Sequence, residues 1–196
     1  MQLIFDNLVA LLVGTVVMVI LLGLTTDWSM ENRDRTRQHM TRNTQRNLAD
    51  MFKRDVLNVG SNVPVGEAMI IDNSPTRFAF RGAVNGSGSA QLIEYRVVPA
   101  VQASGDTLYQ VERHVNGTYT GGSPALLRWF EVKLLKPDPL DPSKNIPATD
   151  LNFADVRKVM IRFQSVLPYN EEVGVKASTS RQMNWASVYT PSLLDR

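Results

Sequence analysis

Cysteine is absent from the 196-residue chain, which removes disulfides, thiolate metal sites and cysteine nucleophiles from consideration. Histidine is scarce: His39 and His114 are the only two. They lie far apart in sequence, too few for a His-rich metal site, and both are expected to face solvent. A charge excess is also missing, since 21 Lys plus Arg against 19 Asp plus Glu leaves a formal +2. That balance gives no electrostatic footing for nucleic acid. There is no glycine-rich phosphate loop, no nucleophile elbow and no carboxylate pair beside a histidine. These absences point to a non-catalytic chain without a cofactor. They leave export open, because a domain of ordinary size folds on its core without cross-links.

What the chain does have is one long apolar run. Residues 7–26 carry no charge and are almost wholly Leu, Val, Ile, Met, Ala and Gly. As a helix rising 1.5 Å per residue they span the roughly 30 Å hydrocarbon layer of a bilayer. Trp28 then falls where an indole favours the headgroup boundary. A cleaved signal peptide would begin with a basic region and end in a small-residue cleavage site, and neither is present. A retained transmembrane helix over residues 1–28 is therefore expected, with the lipid bilayer as a partner. The flanks pull the other way on orientation. Asp6 stands before the run, whereas Arg33, Arg35, Arg37, Arg42 and Arg46 follow it. Counted literally, that puts the larger part of the chain on the cytoplasmic side.

Residues 29–60 are expected to continue the helix, with Leu48, Met51, Phe52 and Val56 at helical spacing and Gly60 as the left-handed cap near Val59. A charged linker is the alternative. Residues 61–196 change to period two. Strands are expected over 68–71, 77–81, 91–98, 107–113, 129–135 and 156–163, with a short terminal one over 181–191. Turn chemistry separates them at 72–75, 85–89, 104–106 and 116–122, and the proline-bearing stretch 136–150 reads as a surface excursion. Strands at hairpin distances imply an antiparallel sheet, so the fold class is α+β: a long N-terminal helix packed by its distal end on an antiparallel β-sheet.

Three stretches carry a family resemblance. Residues 2–14, Gln-Leu-Ile-Phe-Asp-Asn-Leu-Val-Ala-Leu-Leu-Val-Gly, resemble the mature N-terminus of type IV pilins and type II secretion pseudopilins. Residues 51–60, Met-Phe-Lys-Arg-Asp-Val-Leu-Asn-Val-Gly, are similar to the end of the long helix in larger minor pilins and J-type pseudopilins. Residues 155–163 and the tail from Ser180 to Leu193 resemble late strands of the same proteins. In that register Asp6 stands on the family's acidic fifth position, with Asp in place of the usual Glu. A pilin precursor also carries a basic leader, and here Met1 alone precedes the aligned start. The resemblance thus implies a mature or trimmed form, or a relative that needs no cleavage.

The resemblance implies a non-catalytic structural subunit that assembles through its N-terminal helix into a filament or secretion pseudopilus. Its partners would be other pilin-like subunits and an inner-membrane assembly machinery, with the globular domain periplasmic or extracellular. Asp6 would pair with the N-terminal amine of a neighbouring subunit; otherwise it marks the water-facing end of the helix. Gly14 would permit close helix approach, or is simply a tolerated membrane glycine. Asp138, Asp141 and Asp150 would gather around calcium as loops do in some pseudopilins, but their spacing suits solvated loop acids better. Asn85 and Asn116 open glycosylation-type tripeptides that double as hairpin turns. Two other functions stay open. One is an unprocessed single-pass accessory or scaffold subunit of a membrane complex, favoured by the basic flank. The other is a tethered ligand-binding module, although Tyr95, Tyr109, Trp129 and Trp185 lie in expected strands and read as core.

Overall fold

The computed structural model describes residues 2–84, 88–103, 106–123, 126–148, 156–166 and 182–191. One helix, α1 (Gln2–Leu57), precedes nine strands: β1 (Ile70–Ser74), β2 (Arg77–Ala83), β3 (Ala90–Ala103), β4 (Asp106–Val115), β5 (Thr118–Gly122), β6 (Leu126–Pro137), β7 (Asn145–Pro147), β8 (Lys158–Val166) and β9 (Gln182–Tyr189). The class is α+β, and the sheet is antiparallel throughout its described pairs. The chain divides into two compact units, Met1–Met40 and Thr41–Arg196.

In the first unit α1 is unbroken because residues 2–57 contain no proline. Its best eighteen-residue window has a mean hydropathy of 2.8, and none of that window is buried. By length and composition this stretch is able to cross a bilayer. Its hydroxyls are compatible with lipid, because Thr15 donates to the Leu11 carbonyl at 2.8 Å and Thr25 to that of Leu22 at 2.9 Å. Each polar group is thus satisfied on its own helix.

In the second unit the last turns of α1 form one wall of the core. Leu48, Phe52 and Val56 recur every four residues and are essentially unexposed. They pack against Phe78 and Phe80 of β2, Ile93 and Tyr95 of β3, Val111 of β4, Leu127 and Leu134 of β6 and Ile161 and Phe163 of β8. The helix ends at Leu57, two residues short of the expected Val59. Asn58 and Val59 donate back to Asp55 and Val56 in tightened turns, and Val59 then pairs with Gly82 of β2. Gly82 explains why that junction closes: a Cβ there would lie 2.2 Å from the Asn58 carbonyl oxygen. Gly60 has φ 77°, in the left-handed region, and its amide donates to Arg81 of β2 at 2.8 Å. It therefore turns the chain onto the sheet, and its own amide closes no helical carbonyl.

The sheet runs β1-β2-β3-β4-β6-β8-β9, with β5 folded beside β4 and β7 beside β6. Most pairs are long ladders, but β4 meets β6 at one register pair, Tyr109 with Leu127. Two half-sheets thus share a thin seam.

Other expectations need correction, beginning with β1, which runs Ile70–Ser74 and takes in most of the turn expected at 72–75. The 116–122 stretch, expected as a loop, contracts to a turn at Asn116 (φ 49°) and Gly117 (φ 80°), followed by β5. Two residues with positive φ suffice for a hairpin, which frees Thr118, Tyr119, Gly121 and Gly122 to pair with β4. The 136–150 excursion contains β7, whose Pro147 is tolerated because β7 pairs on one side only. Trp129 is 37% exposed rather than core, since a register shift between Leu127 and Trp129 turns its side chain outward under the Arg162 guanidinium. His114 is 7% exposed rather than solvent-facing, because β5 brings Tyr119 edge-on against its ring at 5.7 Å.

Candidate functional site

The residues singled out from the sequence do not form one site. Asp6 is exposed on α1, and no partner for its carboxylate lies among the described residues. Gly14 has open space around it, with no atom within 4 Å of a notional Cβ. Both are exposed positions on the apolar part of α1. Gly60 belongs to the helix–sheet junction in the second unit.

The loop acids do not converge. Asp138 accepts from the Leu140 amide at 2.9 Å, and Asp141 accepts from the Ser143 amide at 3.1 Å and its hydroxyl at 2.6 Å. Lys144 adds a 3.1 Å ion pair to Asp141, so that carboxylate is engaged in its own turn. These hydrogen bonds to Ser143 and Lys144 hold the Asp141 carboxyl below its usual range. Asp150 and Asn85 lie outside the described residues. Among those described, no three His, Cys, Asp or Glu side chains stand close enough to hold a metal ion.

Two polar clusters escaped the sequence reasoning. The first is buried between α1 and the sheet. Asp55 accepts from Arg113 Nε of β4 at 2.5 Å and Nη2 at 3.3 Å, and from the Tyr95 hydroxyl of β3 at 2.5 Å. Arg113 Nη1 continues to Thr120 Oγ1 of β5 at 2.8 Å. Burial and the adjoining Asp55 charge push the Tyr95 phenol well above its ordinary range. One carboxylate therefore ties the helix to β3 and β4, and through Arg113 to β5. The sequence signal was present: Asp55 sits inside the apolar stripe of Phe52, Val56 and Val59, where an unpaired acid is too costly to leave buried.

The second cluster lies on β2 and β3. Glu94, with a side chain only 3% exposed, accepts from Arg96 Nε at 2.6 Å and Arg77 Nε at 2.7 Å, and Arg77 also reaches Asp72 at 3.2 Å. The Arg96 hydrogen bond is the largest influence, and it lowers the Glu94 carboxyl below its ordinary range. A depressed carboxylate contributes stability above its unfolded value near pH 4.3, and loses it as pH falls through the folded value. Glu94→Gln is therefore expected to cost about 1 kcal/mol at neutral pH, limited by the half-exposed arginines, and to flatten the acid limb of the stability curve. Urea midpoints measured from pH 7 down to pH 2.5 would show whether the limb changes; an unaltered limb would assign the acid sensitivity elsewhere.

Neither cluster is arranged for chemistry. His114 has Glu112 as its hydrogen-bonding neighbour at 3.1 Å and Tyr119 as its ring neighbour. Among the described residues nothing joins it to a nucleophile, and the described clusters hold the sheet and helix together. Compared with protein-family models, curated proteins and solved structures, the chain matches none of them.

Proposed function

We propose that this chain is a non-catalytic, pilin-like structural subunit, a minor pilin or pseudopilin, that assembles through its N-terminal helix. The observation that carries the proposal is the division of labour along α1. Its first part is uncharged over residues 7–26, unburied and long enough for a bilayer, while Leu48, Phe52 and Val56 of the same helix are sealed into an antiparallel sheet. A helix serving one soluble domain has no use for an apolar surface that its own domain leaves bare. In this proposal the apolar part lies in the inner membrane and later in a bundle of like helices, with the sheet domain outside the cytoplasm. Asp6 then meets an amine of a neighbouring subunit, and Gly14 faces an adjoining helix.

A second proposal has its own support. Arg33, Arg35, Arg42 and Arg46 are all exposed beyond the apolar stretch, the distribution expected of a cytoplasmic flank. It makes the protein a permanent single-pass accessory subunit. Intact-mass and N-terminal analysis of native protein, from membranes and from sheared surface material separately, distinguishes the two. A trimmed, methylated N-terminus in the sheared fraction is the expected result for a filament subunit. Protein confined to membranes with an unmodified Met1 would leave the accessory subunit.

A further inference from the structure

The sheet's two outer strands are defended unequally. β1 is five residues long, carries Asp72, and its register shifts between Ile70 and Asp72. Short length, charge and irregularity are the usual means of keeping a sheet edge from recruiting another strand. β9 has none of them. Its eight residues, Gln-Met-Asn-Trp-Ala-Ser-Val-Tyr, contain no charge and no proline. Its ladder with β8 runs without a shift from Val166–Gln182 to Val159–Tyr189. The Met183 carbonyl accepts from Gln45 Nε2 at 3.0 Å, which ties the start of β9 to α1. Beyond that bond, β8 is the only strand paired with β9 among the described residues.

A groove of about 590 Å³ runs along this edge, with Trp185, Ser187 and Tyr189 on one side and α1 on the other. The α1 wall presents Arg42, Arg46 and Lys53, all exposed, against the single acid Asp50. None of these three cations has an ion pair or hydrogen bond among the described residues. They recur at intervals of four and seven residues, so they share one helix face over about 16 Å. An extended segment of about five residues has that length.

We propose that the β9 edge and its cationic rim bind an extended acidic segment of a partner protein, which adds to the sheet as a further strand. Backbone pairing with β9 supplies the attachment, and carboxylates on alternate residues meet Arg42, Arg46 and Lys53. The methylene stems of the same carboxylate side chains rest on Trp185 and Tyr189, and the residues between them point to the opposite face of the sheet. A second copy of this chain fits poorly, since pairing β9 with β9 would bring two like-charged rims together. The proposal is independent of whether the chain enters a filament.

The test uses the full chain in detergent micelles and a fluorescent peptide of about eight residues that alternates Glu with Val or Thr. Binding is read by polarisation, and the contact surface by hydrogen exchange. The Glu peptide is expected to bind and slow exchange at β9, whereas a Lys-for-Glu peptide does not bind. N-methylation of one set of alternate amides should abolish binding and methylation of the other set should spare it, because an added strand uses only one set. The exposed-site variant R42E/R46E/K53E should keep its fold and bind about tenfold or more weakly at low salt. Absent binding, equal binding of the Lys peptide, or binding without protection of β9 would overturn the proposal. Concentration-dependent protection of β9 without peptide would also overturn it, by giving the edge to a second copy.

Discussion

Asp55→Ala is expected to destabilise the sheet domain by about 3–5 kcal/mol, a large fraction of what a domain this size has in reserve. The side chains of Asp55 and Arg113 are 1% and 9% exposed, so neither is solvated by bulk water. Removing the carboxylate leaves the Arg113 guanidinium buried with Thr120 as its remaining side-chain acceptor among the described residues, and strips the Tyr95 hydroxyl of its partner. The cost is that of stranding a cation, which exceeds the net worth of the pair itself. Two controls separate these quantities. Tyr95→Phe removes one neutral donor and should cost about 1 kcal/mol. Asp55→Leu with Arg113→Met removes both charges together and should recover most of the loss, because a buried pair exchanged for apolar residues is often neutral. Chemical denaturation of the four proteins provides the comparison. If Asp55→Ala alone cost under about 1 kcal/mol, the pair would be solvated rather than buried, and its role as a clamp would fall.

The same residue shows where the sequence was legible and where it was not. The apolar run over 7–26, the helical spacing of Leu48, Phe52 and Val56, and the alternation of most strands are local patterns, visible in windows of a few residues. Asp55 was visible too, but its partner Arg113 lies 58 residues away in sequence, and Thr120 sits in a stretch rich in turn residues. A lone acid among basic neighbours looks solvated until the fold supplies the cation opposite it. The burial of His114 and the exposure of Trp129 fail to show in the sequence for a related reason. Both depend on register, and one shift between Leu127 and Trp129 is enough to turn the latter outward. The β9 edge is a third case. Its uncharged sequence reads as an ordinary strand, and only the sheet order places it outermost, beside cations from a helix more than a hundred residues earlier. Asp6 and Gly14 differ from all of these. Their surroundings among the described residues are open, and no contact within the described fold bears on the role expected of them.

Phe52→Ala is expected to cost about 3–5 kcal/mol and also to change how the domain unfolds. The first effect follows from complete burial, since Phe52 is 0% exposed and a close-packed core relaxes only partly into the vacancy left by its ring. The second follows from its position. Its ring lies 4.5 Å from Tyr95 of β3 and 5.3 Å from Phe130 of β6, so it touches both half-sheets. Between those halves the backbone offers, among the described residues, one register pair, Tyr109 with Leu127 of β4 and β6. Side chains from α1 must therefore carry much of the coupling, and Phe52 is the aromatic that spans the seam. Truncating it removes both ring contacts at once. A lower unfolding midpoint with a shallower denaturant slope, and earlier hydrogen exchange in β6 and β8 than in β2 and β3, is the expected signature. Leu134→Ala gives the reference: it is a buried residue on β6 alone, and should lower the midpoint while leaving the slope unchanged. Equal slopes for the two variants would mean that the half-sheets are coupled elsewhere, and that the seam is stronger than its single register pair implies.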